Sequence, residues 1–137
     1  MNTKAIGIIV EQTFVLKCVN LGLTVSQPIG DNAPYDFVVE LEGKLIKVQC
    51  KSMYKVDGAY VLATHRKTGH RRTVKKAYED EVDLFFGYNI EDDEYVLLHR
   101  EDATKTAMQF RPNDFETKTP HRVNYVKDYQ SFFSNKP

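Results

Sequence analysis

The chain has 137 residues, 42% of them hydrophobic, enough for one domain with a real core and too apolar for a disordered segment. Nineteen Lys and Arg balance nineteen Asp and Glu, so the overall charge announces no polyanionic partner. No apolar run reaches the roughly 18 residues of a membrane span, and the short apolar stretch after Lys4 closes at Glu11 and Gln12 without a small-residue cleavage site, so neither a membrane anchor nor a signal peptide is expected.

Residues 3–22 read as a helix. Ile8, Phe14, Val15 and Cys18 share one face, and Asn20 and Gly22 suit its C-terminal stop. Residues 23–34 read as a short extended piece and a loop broken by Pro28, Gly30 and Pro34. Residues 35–41 and 44–51 alternate as a hairpin about Glu42-Gly43. A two-residue turn there pairs Phe37 with Val48 and Val39 with Ile46, and leaves Asp36 opposite Gln49 with Lys51 on the same side. A slip of one residue would mix Asp36 with the apolar set, so the pattern itself favours this register. Residues 58–64 read as a third strand and 65–76 as a basic loop. Residues 83–89 and 94–98 form a second strand pair about an acidic turn. Residues 103–122 read as irregular, and 124–133 as a short closing helix.

The neutral total hides a local dipole. Residues 65–76 hold six Lys or Arg and no acid, and residues 77–98 hold eight acids and no Lys or Arg. Within the first helix, Glu11 has Gly7, Ile8, Phe14 and Val15 as neighbours three and four positions away. A carboxylate there is costly unless paired or metal-bound, although a Glu at the rim of a buried face would look the same. Taken singly, Asp36 reads equally as a turn residue and Lys51 as a solvated strand lysine. Their shared face with Gln49 makes a cluster suited to phosphodiester hydrolysis with a divalent metal.

Glu11, Asp36 and Gln49-Cys50-Lys51 resemble the active-site pattern of the PD-(D/E)xK nuclease superfamily. That pattern is a helical Glu, an Asp entering a strand, and acid-x-Lys on the next strand. Pro34-Tyr35-Asp36 carries one inserted residue, and Gln49 replaces the usual acid. Gly30-Asp31, Val48-Gln49-Cys50-Lys51, Asp83-Leu84-Phe85, Tyr95-Val96-Leu97 and Arg111-Pro112-Asn113 are similar to the small homing endonucleases of group I introns. The resemblance implies an α/β, restriction-endonuclease-like core with a central mixed β-sheet flanked by helices. It implies one domain over 1–137, with a core over about 3–100 and a C-terminal extension over about 101–137. It also implies Mg2+ or Mn2+ held by Glu11, Asp36 and the Cys50 backbone carbonyl, with Gln49 offering an amide oxygen and Lys51 orienting water and stabilising charge on the phosphate. Double-stranded DNA is the implied substrate. Cutting both strands with one site per chain implies a homo-oligomer, a dimer or a tetramer.

Arg66, Lys67, Arg71, Arg72, Lys75 and Lys76 are candidates for phosphate contacts, with Tyr54, Lys55 and Arg111 as further candidates. A solvated loop is the plain alternative for the basic segment. His65, His70, His99 and His121 lack zinc-ligand spacing and read as surface residues. Cys18 and Cys50 read as core residues of a reduced, cytoplasmic protein. Neither a P-loop nor a Gly-x-Ser-x-Gly elbow occurs. The expectation is a metal-dependent DNA endonuclease. The alternatives are a junction-resolving or restriction-like enzyme with the same chemistry, and a non-catalytic nucleic-acid- or partner-binding protein on the same fold.

Overall fold

The computed structural model describes residues 1–68, 74–77 and 81–131; for 66–68 and 74–77 it describes the backbone alone. Arg71 and Arg72 lie outside the described residues. Helix α1 spans Thr3–Asn20. The Asn2 side chain caps its start by accepting from the Ala5 N–H at 2.8 Å. Its end is closed by Leu21 and Gly22 N–H groups on the Cys18 and Val19 carbonyls, with Gly22 at φ 75°.

Val10, Phe14 and Cys18 form the buried stripe of α1, at the four-residue spacing that stacks side chains on one face. Ile8 was expected on that face but is 58% exposed. The stripe through Val10 and Phe14 points Ile8 away from the sheet, where Leu16 and Val19 are also exposed. Glu11 therefore lies half-buried on the shoulder of the stripe, not at its centre.

Among the described residues the strands that follow are β1 (Thr24–Ser26), β2 (Phe37–Leu41), β3 (Lys44–Ser52), β4 (Tyr54–Val56), β5 (Ala59–Ala63), β6 (His65–Thr68), β7 (Val74–Ala77), β8 (Leu84–Asn89), β9 (Glu94–His99) and β10 (Ala107–Phe110). The central sheet runs β1-β2-β3-β8-β9. It is mixed, because β3 and β8 are parallel while its other pairs are antiparallel. The β2–β3 register is the one the alternation demands, with Phe37 opposite Val48 and Val39 opposite Ile46. Glu42 and Gly43 both take positive φ at that turn, the conformation a two-residue hairpin loop requires.

The sheet separates two cores. On one face α1 packs Val10, Phe14 and Cys18 against Phe37, Val39, Val48, Cys50 and Phe86. On the other, Phe85, Val96 and Leu98 meet Met53, Tyr60, Leu62, Phe110 and Val126. Strand β8 is buried along its whole length, as expected of a strand covered on both faces. The second layer is not helical: β10-β5-β4 form a three-stranded sheet, joined by a 3-10 turn over Val126–Tyr129 where a closing helix was expected. Two further expectations change. Within the segment read as a basic loop, β6 and β7 pair as antiparallel strands, and the stretch read as irregular contains β10. Among the described residues, no helix is long and apolar enough to cross a membrane.

Candidate active site

Strand β2 leaves β3 at Phe37, and the separation creates the site. The Asp36 N–H still bonds the Val48 carbonyl at 2.8 Å. One step further along β3, the Cys50 N–H bonds the Asp36 carboxylate, also at 2.8 Å. A side chain thus replaces a backbone carbonyl where the β2–β3 ladder ends, which holds the carboxylate at the start of β2.

Burial raises the Asp36 pKa above the usual range, while the Cys50 N–H and the Lys51 ammonium oppose that rise. Burial also raises Glu11, and the Asp36 charge raises it further. The two carboxylates therefore share one electrostatic environment, with Lys51 close enough to act on it. Glu11 and Asp36 line a cleft of about 240 Å³ roofed by the loop before β2. Asp31 lines it too. In the sequence Asp31 reads as a loop breaker and as half of the Gly30-Asp31 pair, with no separate signal that it lines the site.

Lys51 alternates to the face opposite the buried Val48 and Cys50, in register with Gly87 of β8. Its Nζ donates to the His65 carbonyl at 3.2 Å. The His65 ring is not a free surface group: its Nδ1 lies 2.8 Å from the Thr106 carbonyl, which can only accept, so Nδ1 carries the proton. Thr64 reinforces the junction, its N–H bonding the Thr106 carbonyl and its hydroxyl the Thr104 carbonyl. Lys51 is thereby tied to the first residue of β6. No spacing rule pointed to His65, because the contact runs through its main chain.

Gln49 is half-buried beside Phe85 in the parallel register. The Cys50 thiol is pushed well above its ordinary pKa, first by burial and then by the Asp36 and Glu11 charges; burial pushes Cys18 up to about 12. Both are buried, free, protonated core thiols, as expected.

The DNA-contact candidates are scattered. Tyr54 is exposed. Lys55 pairs with Asp92 at 3.0 Å, and Tyr60 donates to the same oxygen at 2.6 Å, so a phosphate would compete for the Lys55 charge. Arg66 and Lys67 lie on β6, and Lys75 and Lys76 on β7, with Arg66 opposite Lys76 and Lys67 opposite Lys75. Arg111 stands at the end of β10, donating to the Asp57 carbonyl at 2.9 Å.

A sequence-family model described as PD-(D/E)XK endonuclease matches residues 1–132. The chain belongs to the PD-(D/E)XK endonuclease family. Its fold is similar to a solved bacterial homing endonuclease, I-Ssp6803I, at TM-score 0.79 and 26% identity, over 98% of this chain and 93% of that one. No curated protein sequence matches it. The chain is therefore a nuclease, a hydrolase acting on DNA, with the mixed-sheet fold of that relative.

PD-(D/E)XK nucleases generally use divalent metal ions. Among the described residues, no group of three or more His, Cys, Asp and Glu side chains is arranged to hold one. The remaining donors still suit a hard cation: two carboxylates disfavoured by burial, with backbone and amide oxygens available on β3.

Proposed function

We propose that this PD-(D/E)XK endonuclease hydrolyses phosphodiester bonds in double-stranded DNA at specific sites, as a homing-type enzyme dependent on Mg2+ or Mn2+. The observation that carries the reading is the Asp36 carboxylate held on the Cys50 N–H, with Glu11 and Lys51 acting on it.

Glu11, Asp36 and the Cys50 carbonyl would hold the metal, with the Gln49 amide oxygen as a neutral supplement. The metal's contribution is to polarise the phosphate and lower the pKa of water. The chain supplies the rest. Asp36 is fixed by its backbone donor, so its oxygens need little reorganisation. Lys51 would orient the attacking water and present its positive charge where the phosphate gains negative charge. In the net reaction, water adds to phosphorus and one ester P–O bond breaks. The water gives up a proton, and the leaving oxygen takes one up.

Each chain offers one such cluster, and cutting both strands takes two, which favours a homo-oligomer. The exposed Ile8, Leu16 and Val19 on α1 support self-association. Plasmid cleavage with Mg2+ tests the reading. Wild type is expected to nick or linearise its DNA, and Asp36→Ala and Lys51→Ala to lose that activity. A wild type inert towards varied DNA forms and metals would overturn it. The neutral Gln49 favours one second reading, a DNA-binding protein without cleavage, which would show binding in the same assays and no product.

A further inference from the structure

A second polar cavity lies away from the catalytic cluster. It has a volume of about 380 Å³ and sits between the end of β10 and the loop that follows. Its lining brings Arg111 and Arg122 together with Gln109, Thr117 and Thr119, and includes no carboxylate. The Arg111 guanidinium is fixed twice, by its bond to the Asp57 carbonyl and by lying 4.4 Å over the Phe115 ring. The loop is tied back to β10, because the Arg111 N–H bonds the Asn124 carbonyl at 2.7 Å and the Val126 N–H bonds the Arg111 carbonyl at 3.1 Å. Thr119 is turned towards Thr117 by an N–H bond to that hydroxyl at 3.2 Å.

We propose that this cavity is a phosphate-binding cradle that grips a backbone phosphodiester of the DNA at a distance from the cut. Two planar guanidinium forks and neighbouring hydroxyls match a tetrahedral oxyanion better than a lone ammonium does. The position fits one continuous ligand. β10 begins at Ala107, opposite Ala63 and close to the His65 carbonyl that receives Lys51. It ends at Phe110, next to Arg111. β10 itself is about 13 Å long, short against the ~34 Å turn of a duplex, so the cradle and the His65 end of the site lie within reach of one DNA backbone. The assignment rests on the DNA-cleavage reading for its ligand, while the cradle stands on its own residues.

Binding of the full chain to a fluorescein-labelled duplex, in EDTA over a potassium chloride series, tests it. Arg122→Gln removes an exposed guanidinium with little risk to folding. It is expected to weaken binding and to lower the magnitude of the log K against log salt slope by about 0.9, the signature of one lost phosphate contact. Arg122→Lys should keep the slope, and adding Arg111→Gln should lower it by up to about 1.8. Inorganic phosphate should shift the amide resonances of Thr117 and Thr119 in wild type and not in Arg122→Gln. An unchanged slope in both Gln variants, with no phosphate shifts at Thr117 and Thr119 in wild type, overturns the cradle alone. Phosphate shifts with an unchanged slope mark a free-anion site and overturn the DNA assignment. A wild type that binds no duplex at any salt overturns the cleavage reading together with the proposed ligand.

Discussion

Asp36 separates folding from function, and two substitutions read them independently. Asp36→Asn keeps an oxygen for the Cys50 N–H and removes the charge. Asp36→Ala removes both. In the folded chain burial raises the Asp36 pKa, so the ionised form destabilises the fold relative to an ordinary exposed Asp. Asp36→Asn should therefore be at least as stable as wild type at neutral pH. Asp36→Ala leaves a partly buried N–H without its acceptor, at a cost of about 1–3 kcal/mol. For a domain of this size that corresponds to a melting temperature roughly 3–10 °C below that of Asp36→Asn. Cleavage should fall in both by on the order of 10³-fold or more, the loss expected when several kcal/mol of charge stabilisation disappears. Thermal melts with and without Mg2+ add a third readout. At ten times Kd a bound metal stabilises wild type by about 1.4 kcal/mol and should not stabilise either variant. Equal melting of the two variants would refute the structural role of the Cys50 bond. Residual cleavage by Asp36→Asn, or an equal Mg2+ effect on it, would refute the metal role.

Acidification should move activity and stability in opposite directions. Glu11 and Asp36 both titrate above their ordinary range, so cleavage should decline at a higher pH than normal carboxylates would give. The Asp36 contribution to stability has the reverse sign: it is fully present below about pH 4 and is lost as pH rises through the raised folded-state value. Comparing wild type with Asp36→Asn by pH-dependent melting checks this, and a wild type that loses stability faster on acidification would contradict it. Gly87→Ala should destabilise by about 1–3 kcal/mol, because a Cβ there would sit 3.0 Å from Met53 and 3.1 Å from Leu62; an unchanged denaturation midpoint would disprove the packing account. Leu16→Glu should shift the protein to a smaller species in sedimentation while leaving monomer folding intact, because Leu16 is exposed in the single chain. An unchanged sedimentation coefficient would exclude that face from self-association.

The central hairpin is legible because most apolar residues over 37–50 fall on one side in a single register, Val38 and Leu45 apart, and Glu42-Gly43 supplies the turn. β8 and β9 were legible for the same reason, with an acidic turn between them. The second layer was harder to read. Asp57-Gly58 takes positive φ at both residues and joins β4 to β5. That dipeptide is a strong hairpin signal, but exposed Tyr54, Lys55 and Val56 give no alternation to go with it. β10 was hidden because Ala107 and Gln109 are exposed and its pairing with β5 bridges more than forty positions. Helix α1 was placed correctly, but its buried face was centred too far towards Ile8. With apolar residues on three sides, composition alone does not say which one meets the sheet.

The structure also gives Gln49 a physical reading. Glu11 and Asp36 already share one cleft at the start of β2, each raised by burial, and Asp31 lines it too. An acid at position 49 would add like charge to an environment where Lys51 and the Cys50 N–H lower the Asp36 pKa against the effect of burial. A neutral amide offers oxygen without that repulsion. The cost falls on metal affinity, since fewer charges attract the cation. Replacing Gln49 with Glu should accordingly raise the apparent Mg2+ affinity for cleavage and lower the metal-free melting temperature. Both follow from one added charge, so a variant that shifts one without the other would show that position 49 acts on the site by some route other than its charge.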